Sequence, residues 1–167
     1  MKSAAYYIQK LGLIKHIEGG AYKETYRSDI TIPRQVLNKQ FHGDRNASTA
    51  IYFLLEYGQF SALHRIASDE VWHFYDGDPL FVYEICIDGK LITHKLGRDT
   101  EQGEAFQCVV KAGSWFGSRC QTAGGFSLVG CTVAPGFDFA DFELAERNTL
   151  QSSFPQHSKI ITELTAD

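Results

Sequence analysis

Two residues with chemically useful side chains, His64 and Glu70, lie close together in the stretch from Gly58 to Gly77. The stretch reads as a strand carrying His64, a tight turn at Ala67-Ser68-Asp69, and a returning strand that begins with Glu70. An imidazole and a carboxylate facing each other across a hairpin can ligate a metal, act as an acid/base pair, or share an orienting hydrogen bond inside a cavity. Side chains alternate along a strand, so His64 shares a face with Ile66. If that face is interior, Glu70, Trp72 and Phe74 point inward and His73 points out.

Further candidates follow from the same alternation. Tyr22, Glu24 and Tyr26 fall on one face of a strand over Ala21 to Ser28, with Lys23, Thr25 and Arg27 on the other. Either tyrosine is a candidate proton donor, and Glu24 a candidate ligand contact. Ser127, Val129, Cys131 and Val133 share a face, which makes Ser127 or Cys131 a candidate ligand contact. No neighbouring motif would lower the pKa of Cys131, which reads as a buried structural thiol. Trp72, Phe74, Trp115 and Phe116 are expected to wall the cavity. Asp138, Asp141 and Glu143 follow the Pro135-Gly136 turn and read either as loop and capping chemistry or as a lid. Arg27, Arg45 and Arg65 can bind phosphate or carboxylate, though alternation puts Arg65 outside.

The elements that must position these groups are mostly short strands. Ala4, Tyr7, Ile8 and Leu11 recur at helical spacing before Gly12, which predicts a short amphipathic helix over Ser3 to Leu13. Ile30 to Asn46 has no clear period and reads as a long loop or irregular edge. From Ser48 onward, eight β runs are predicted: Thr49 to Glu56, Ser61 to Ile66, Glu70 to Tyr75, Leu80 to Ile87, Lys90 to Leu96, Ala105 to Val110, Ser114 to Arg119 and Phe126 to Val133. Asp88-Gly89 is a strong hairpin signal. A polar, acidic segment follows Pro135, and Pro155 to Leu164 reads as a second short helix. Strands at this spacing, never alternating with long helices, indicate an all-β sandwich or barrel with short N- and C-terminal helices, in one domain spanning residues 1–167.

The 20 acidic and 16 basic side chains give a net charge of −4 and are spread along the whole chain, which argues against nucleic-acid binding. The 4 cysteines, Cys86, Cys108, Cys120 and Cys131, form no Cys-x-x-Cys pair and read as buried thiols of a reducing compartment. The N-terminus lacks the apolar run of a signal peptide, and no stretch is long and apolar enough to span a bilayer. A cytoplasmic protein without a membrane partner is expected.

The spacing of Gly58, His64, Glu70 and Gly77 is similar to the first sequence motif of the cupins. Ile66 stands where metal-binding cupins have a histidine. The second cupin motif would fall on Lys111-Ala112-Gly113, with Phe116 in the histidine place. Three more stretches, His16 to Ser28, Ser48 to Leu55 and Leu128 to Glu143, resemble the Cupin_5 family, from which the chain departs at Ile17 and Lys111, where proline is usual. The resemblance implies a double-stranded β-helix, the cupin jelly roll, closed around one pocket and paired as a homodimer. It also implies similarity to sugar-nucleotide 3,5-epimerases, which pair a base with an acid without a metal.

With two of the usual ligand positions apolar, no metal and no cofactor are expected. The leading expectation is a metal-independent epimerase or isomerase acting on a carbohydrate-like ligand such as a sugar or sugar nucleotide. His64 would abstract a proton next to a carbonyl, Glu70 would orient the imidazole, and Tyr22 or Tyr26 would return a proton. The alternatives are a non-catalytic cupin that senses or stores its ligand, and a metal-dependent cupin enzyme.

Overall fold

The computed structural model describes residues 2–166. Its helices are α1 (Ala4–Leu11), α2 (Arg147–Ser153) and α3 (Ser158–Glu163). Its strands are β1 (Ile14–Lys15), β2 (Ala21–Arg27), β3 (Thr31–Ile32), β4 (Arg45–Asn46), β5 (Thr49–Glu56), β6 (Ser61–Arg65) and β7 (Asp69–Gly77). They continue as β8 (Leu80–Ile85), β9 (Leu91–Leu96), β10 (Gln107–Val110), β11 (Trp115–Cys120), β12 (Phe126–Ala134) and β13 (Glu143–Leu144). A larger sheet runs β1-β2-β5-β12-β7-β10, a smaller one β13-β6-β11-β8-β9, and β3 pairs with β4. Sequential strands alternate between the two main sheets over much of the chain, as a jelly roll requires.

The register of the larger sheet stacks its inward residues in tiers. Arg27, Thr49, Val133 and Glu70 form the tier at one end, followed by Glu24, Ile51, Cys131 and Trp72, then Tyr22, Phe53, Val129 and Phe74. The deeper tiers meet Phe116, Leu80 and Val82 from the smaller sheet and make the apolar core. Burying each such side chain contributes about 1.5–3 kcal/mol. The end tier carries polar groups instead, and there the barrel stays open.

Helices cover part of each outer face. Ser3 caps α1 by accepting the Tyr6 N–H at 3.2 Å, and Gly12 ends it at φ 66°, a left-handed conformation that glycine adopts without strain. The apolar side of α1 packs on Leu54 and Leu128, behind the larger sheet. Leu150, Ile160, Ile161 and Leu164 from α2 and α3 cover Leu63, Tyr83 and Ile85 behind the smaller sheet. The Leu63 N–H donates to the Leu164 carbonyl at 2.7 Å, which ties the strand carrying His64 to the last helix. No helix among the described residues is long and apolar enough to cross a membrane.

Three expectations need correction. The segment Ile30 to Asn46 contains the short β3–β4 ladder rather than only loop. Helix α2 forms in the polar segment after Pro135, where only Leu150 is buried and no apolar period exists to reveal it. Glu146 caps it by accepting the N–H groups of Asn148 and Thr149. Of the cysteines, Cys120 and Cys131 are buried, whereas Cys86 and Cys108 are half-buried; all four are free thiols.

Candidate active site

His64 sits on β6 opposite Phe116 of β11. Its ring is held between Phe116, 4.1 Å away by ring centroids, and Phe142, stacked at 5.3 Å. The residue is 4% exposed, so its imidazole has little freedom to reorient.

The carboxylate that orients it is Glu18, from the turn between β1 and β2. His64 Nδ1 lies 3.0 Å from Glu18 Oε2 and 2.8 Å from the Ala62 carbonyl. Both partners are acceptors, so Nδ1 carries a proton, and in the neutral ring the lone pair is on Nε2. Gly19 and Gly20 make this approach possible. A Cβ on Gly19 would stand 2.0 Å from the Phe60 carbonyl oxygen, and its φ of 114° is a glycine conformation. The Ala62 N–H then donates to the Glu18 carbonyl at 2.7 Å and fixes the turn against β6.

Glu18 also approaches His16, whose Nδ1 is 3.6 Å from Oε1. Burial opposes ionisation of Glu18, yet His64 outweighs it through its charge and its hydrogen bond and holds the carboxyl below its usual pKa. Burial would pull the His64 imidazole down, but Glu18, and to a lesser degree Glu70, raise it above its usual value.

Glu70 behaves oppositely. Burial pushes its pKa from 4.5 up to about 7, against the favourable charge of His64 and in concert with Glu18. The Cys131 thiol hydrogen-bonds its carboxylate. Burial and the Glu70 charge raise that thiol well above its normal pKa, so Cys131 is no ready nucleophile. Two carboxyl groups in one cavity thus have their pKa values pushed in opposite directions, an arrangement suited to acid/base work.

His16, Glu18, Tyr22, His64, Glu70 and Cys131 all line a cavity of about 590 Å³ at the open end of the barrel. Glu24, Arg27, Thr49, Ile51 and Phe137 extend its wall toward the mouth. Arg27 grips Glu24 through Nε and Nη2 at 2.9 and 2.8 Å, and its Nη1 donates to Asn46 Oδ1 and the Phe137 carbonyl. With those donors engaged, Arg27 braces the mouth rather than offering a free anion site.

The alternation expected for β2 breaks at Thr25. Glu24 pairs with Ile51 but Tyr26 pairs with Ala50, so Thr25 is an extra residue, a β-bulge. Beyond it the phase inverts: Arg27 faces the cavity and Tyr26 turns outward, 53% exposed. The mouth is closed on one side by the segment after β12. Asp138 accepts the Ala140 N–H, Asp141 forms a buried ion pair with Arg45 at 2.5 Å, and Glu143 pairs with Arg65. The acidic cluster is therefore capping and anchoring chemistry that holds Phe137, Phe139 and Phe142 in place.

Among the residues singled out from the sequence, His64, Glu70, Tyr22 and Glu24 converge on the cavity, and Tyr26 does not. Trp72, Phe74 and Phe116 point inward but lie in the core rather than along the cavity lining. Trp115 alternates to the opposite face from Phe116, packs under the C-terminal helices and lies under the Arg65 guanidinium. Ser127 is inward but at the far end, where its hydroxyl donates to the Asp78 carbonyl at 2.7 Å. His73 points outward, to Thr132 and Gln107. Sequence reasoning missed His16 and Glu18, although both lie in the His16 to Ser28 stretch that carried the family resemblance.

The donor set does not fit a cupin metal centre. Ile66 and Phe116 are core residues, and Nδ1 of His64 is taken by Glu18 and Ala62. Among the described residues, no group of three or more His, Cys, Asp or Glu side chains is arranged to hold a metal ion.

Two antiparallel sheets rolled around a cavity at one barrel end define a cupin. The chain belongs to the Cupin_5 family of the cupin superfamily (DUF985), whose model matches residues 5–145. It is 36% identical over 146 residues to the Saccharomyces cerevisiae protein YML079W, covering 77% of this chain and 68% of the yeast protein. A hypothetical protein from Leishmania major superposes with a TM-score of 0.91 at 34% identity, covering 99% and 100% of the two chains. Protein SO0799 from Shewanella oneidensis gives 0.87 at 40% identity, covering 99% of each. A cupin 2 domain-containing protein from Halorhodospira halophila shares the fold alone, with a TM-score of 0.55 at 13% identity over 92% and 88%.

Proposed function

We propose that residues 1–167 form one cupin domain that binds a small carbohydrate-like carbonyl compound and epimerises or isomerises it by proton transfer, without a resident metal. The observation that carries this reading is the hydrogen-bonding of His64: Nδ1 is held by Glu18 and Ala62, which leaves Nε2 as a fixed base. Nε2 takes a proton from the carbon next to the carbonyl, and Glu18 stabilises the imidazolium that forms. The Tyr22 hydroxyl or the Glu70 carboxylic acid returns a proton to carbon. Each positioned acid or base is worth about 10²–10⁴ in rate. The cavity, at about 590 Å³, suits a sugar-sized ligand. A sugar nucleotide would place its sugar inside and its nucleotide beyond the mouth.

The same reading includes a homodimer. The outer face of the larger sheet leaves Tyr26, Tyr75 and Val109 exposed, none of them part of the cluster that α1 covers. Apolar side chains gathered on one sheet face suit a self-complementary contact.

The test is a panel of sugar nucleotides, ketoses and keto acids incubated in D2O and followed by mass spectrometry. Wild type should wash deuterium into one carbon-bound position, and His64→Asn should not. A ligand that binds without exchange would instead make the protein a sensor or storage cupin.

A further inference from the structure

His16 and His64 meet the same residue, Glu18, in opposite tautomers. His64 donates from Nδ1 to the Glu18 side chain. Nδ1 of His16 accepts the Glu18 backbone N–H at 3.2 Å. A ring nitrogen that accepts an N–H has no proton of its own, so the His16 proton resides on Nε2. The two imidazoles therefore offer the cavity complementary groups, a lone pair from His64 and an N–H from His16.

His16 is as firmly placed as His64. It is 8% exposed, with its ring set edge-on against Tyr22 at 4.4 Å and Phe53 at 6.1 Å. The charged or titratable groups facing it are Glu18, His64 and the Tyr22 phenol. Burial lowers its pKa, Glu18 pulls it back in part, and His64 pushes it down again, so the ring stays neutral. A neutral imidazole is a better matched donor to an enolate than a cation would be, because its N–H is weakly acidic and polarises the oxygen without giving up its proton.

We propose that His16 is a further catalytic residue, whose Nε2–H binds the carbonyl oxygen of an α-hydroxy carbonyl substrate while His64 deprotonates the adjacent carbon. This rests on the proton-transfer reading above and adds to it a substrate class and an oxyanion donor. In the step, the C–H bond breaks and its proton goes to His64 Nε2. The C–H electron pair forms the new C=C bond, and the carbonyl π pair moves onto oxygen, where His16 Nε2–H holds it. Return of a proton to carbon reverses the electron flow, with no oxidant or reductant required. A ligand lacking the carbonyl would leave the His16 donor without a partner in a desolvated pocket, which selects against it.

The experiment has two arms on the full chain. Nitrogen-15 NMR of the labelled histidines should find His16 protonated at Nε2 and His64 at Nδ1; a cationic or Nδ1-protonated His16 at neutral pH overturns the proposal. The second arm measures deuterium exchange with dihydroxyacetone phosphate, fructose 6-phosphate and a 4-keto sugar nucleotide as probes. His16→Phe should lower kcat for exchange about 100-fold or more with KM little changed. His16→Gln keeps an N–H donor and should recover part of that loss. If His16→Phe exchanges at the wild-type rate while His64→Asn is inactive, the role of His16 fails and the base reading stands. If wild type exchanges none of the probes, both fail together.

Discussion

Nδ1 of His64 and Oε2 of Glu18 lie 3.0 Å apart, although one residue belongs to the smaller sheet and the other to a turn leading into the larger. The pair joins the two halves of the barrel at the cavity. It also fixes which nitrogen of His64 reacts.

Glu18→Gln removes the charge that raises the His64 pKa, so the imidazole should titrate lower than in wild type. A base works when deprotonated, so the ascending limb of the exchange rate should move to lower pH. The plateau should fall by about two to four orders of magnitude, because the neutral amide no longer fixes the tautomer or stabilises the imidazolium. Proton NMR titration of His64 beside a pH–rate profile checks both. An unmoved limb would mean that Glu18 does not set the base.

Glu70 makes stability depend on pH. Its pKa rises from 4.5 to about 7 on folding, so the folded state binds a proton more tightly than the unfolded one. The stability this brings is fully present below 4.5 and is lost as pH rises through about 7. Glu70→Gln cannot ionise, so it should gain on wild type across that window, by about 3 kcal/mol at most. Urea denaturation at both ends of the window measures it. Parallel curves for the two proteins would refute the shift.

The buried pair of Arg45 and Asp141 should reveal itself by asymmetry. Arg45→Met strands the Asp141 carboxylate, whose side chain is only 5% exposed, and should cost about 3–5 kcal/mol. Adding Asp141→Leu should restore most of the loss. Because Asp141 anchors the aromatic segment over the mouth, hydrogen exchange at Phe137 to Phe142 should rise in the single variant and recover in the double one. Equal destabilisation of both variants would show that charge burial is not the cause.

Sedimentation equilibrium should find a homodimer. Tyr75→Lys combined with Val109→Lys should shift it to monomer while leaving the far-UV spectrum unchanged, since both side chains are exposed on the outer sheet face. A wild-type monomer at tens of micromolar would end the dimer reading.

The barrel was legible in the sequence because strand alternation and turn residues are local signals. Glu70, Trp72 and Phe74 point inward, as the period of two requires, and Asp88-Gly89 turns where expected, with Gly89 at φ 84°. Less legible were the features set by tertiary approach. Glu18 lies in a glycine turn with no period, and only the closeness of Phe60 and Ala62 brings it to His64. Glu70 matched the motif spacing, yet its distance along the hairpin did not tell whether it orients the imidazole or carries a proton of its own. Helix α2 buries one apolar residue and leaves no stripe to read. The bulge at Thr25 carries no glycine to announce it, which is why Tyr26 was expected inside and Arg27 outside.

That bulge has a genetic consequence. The bulge takes Thr25 out of the ladder, so Arg27 holds the place opposite Thr49 that unbroken alternation would give to Tyr26. Loss of the single codon for Thr25 would remove the extra residue and leave a regular ladder in which Tyr26 still faces out opposite Ala50 and Arg27 still faces the cavity opposite Thr49, without changing any residue of the barrel core. A change of one residue in strand length at this point can therefore be absorbed along this lineage without altering the group presented at the mouth.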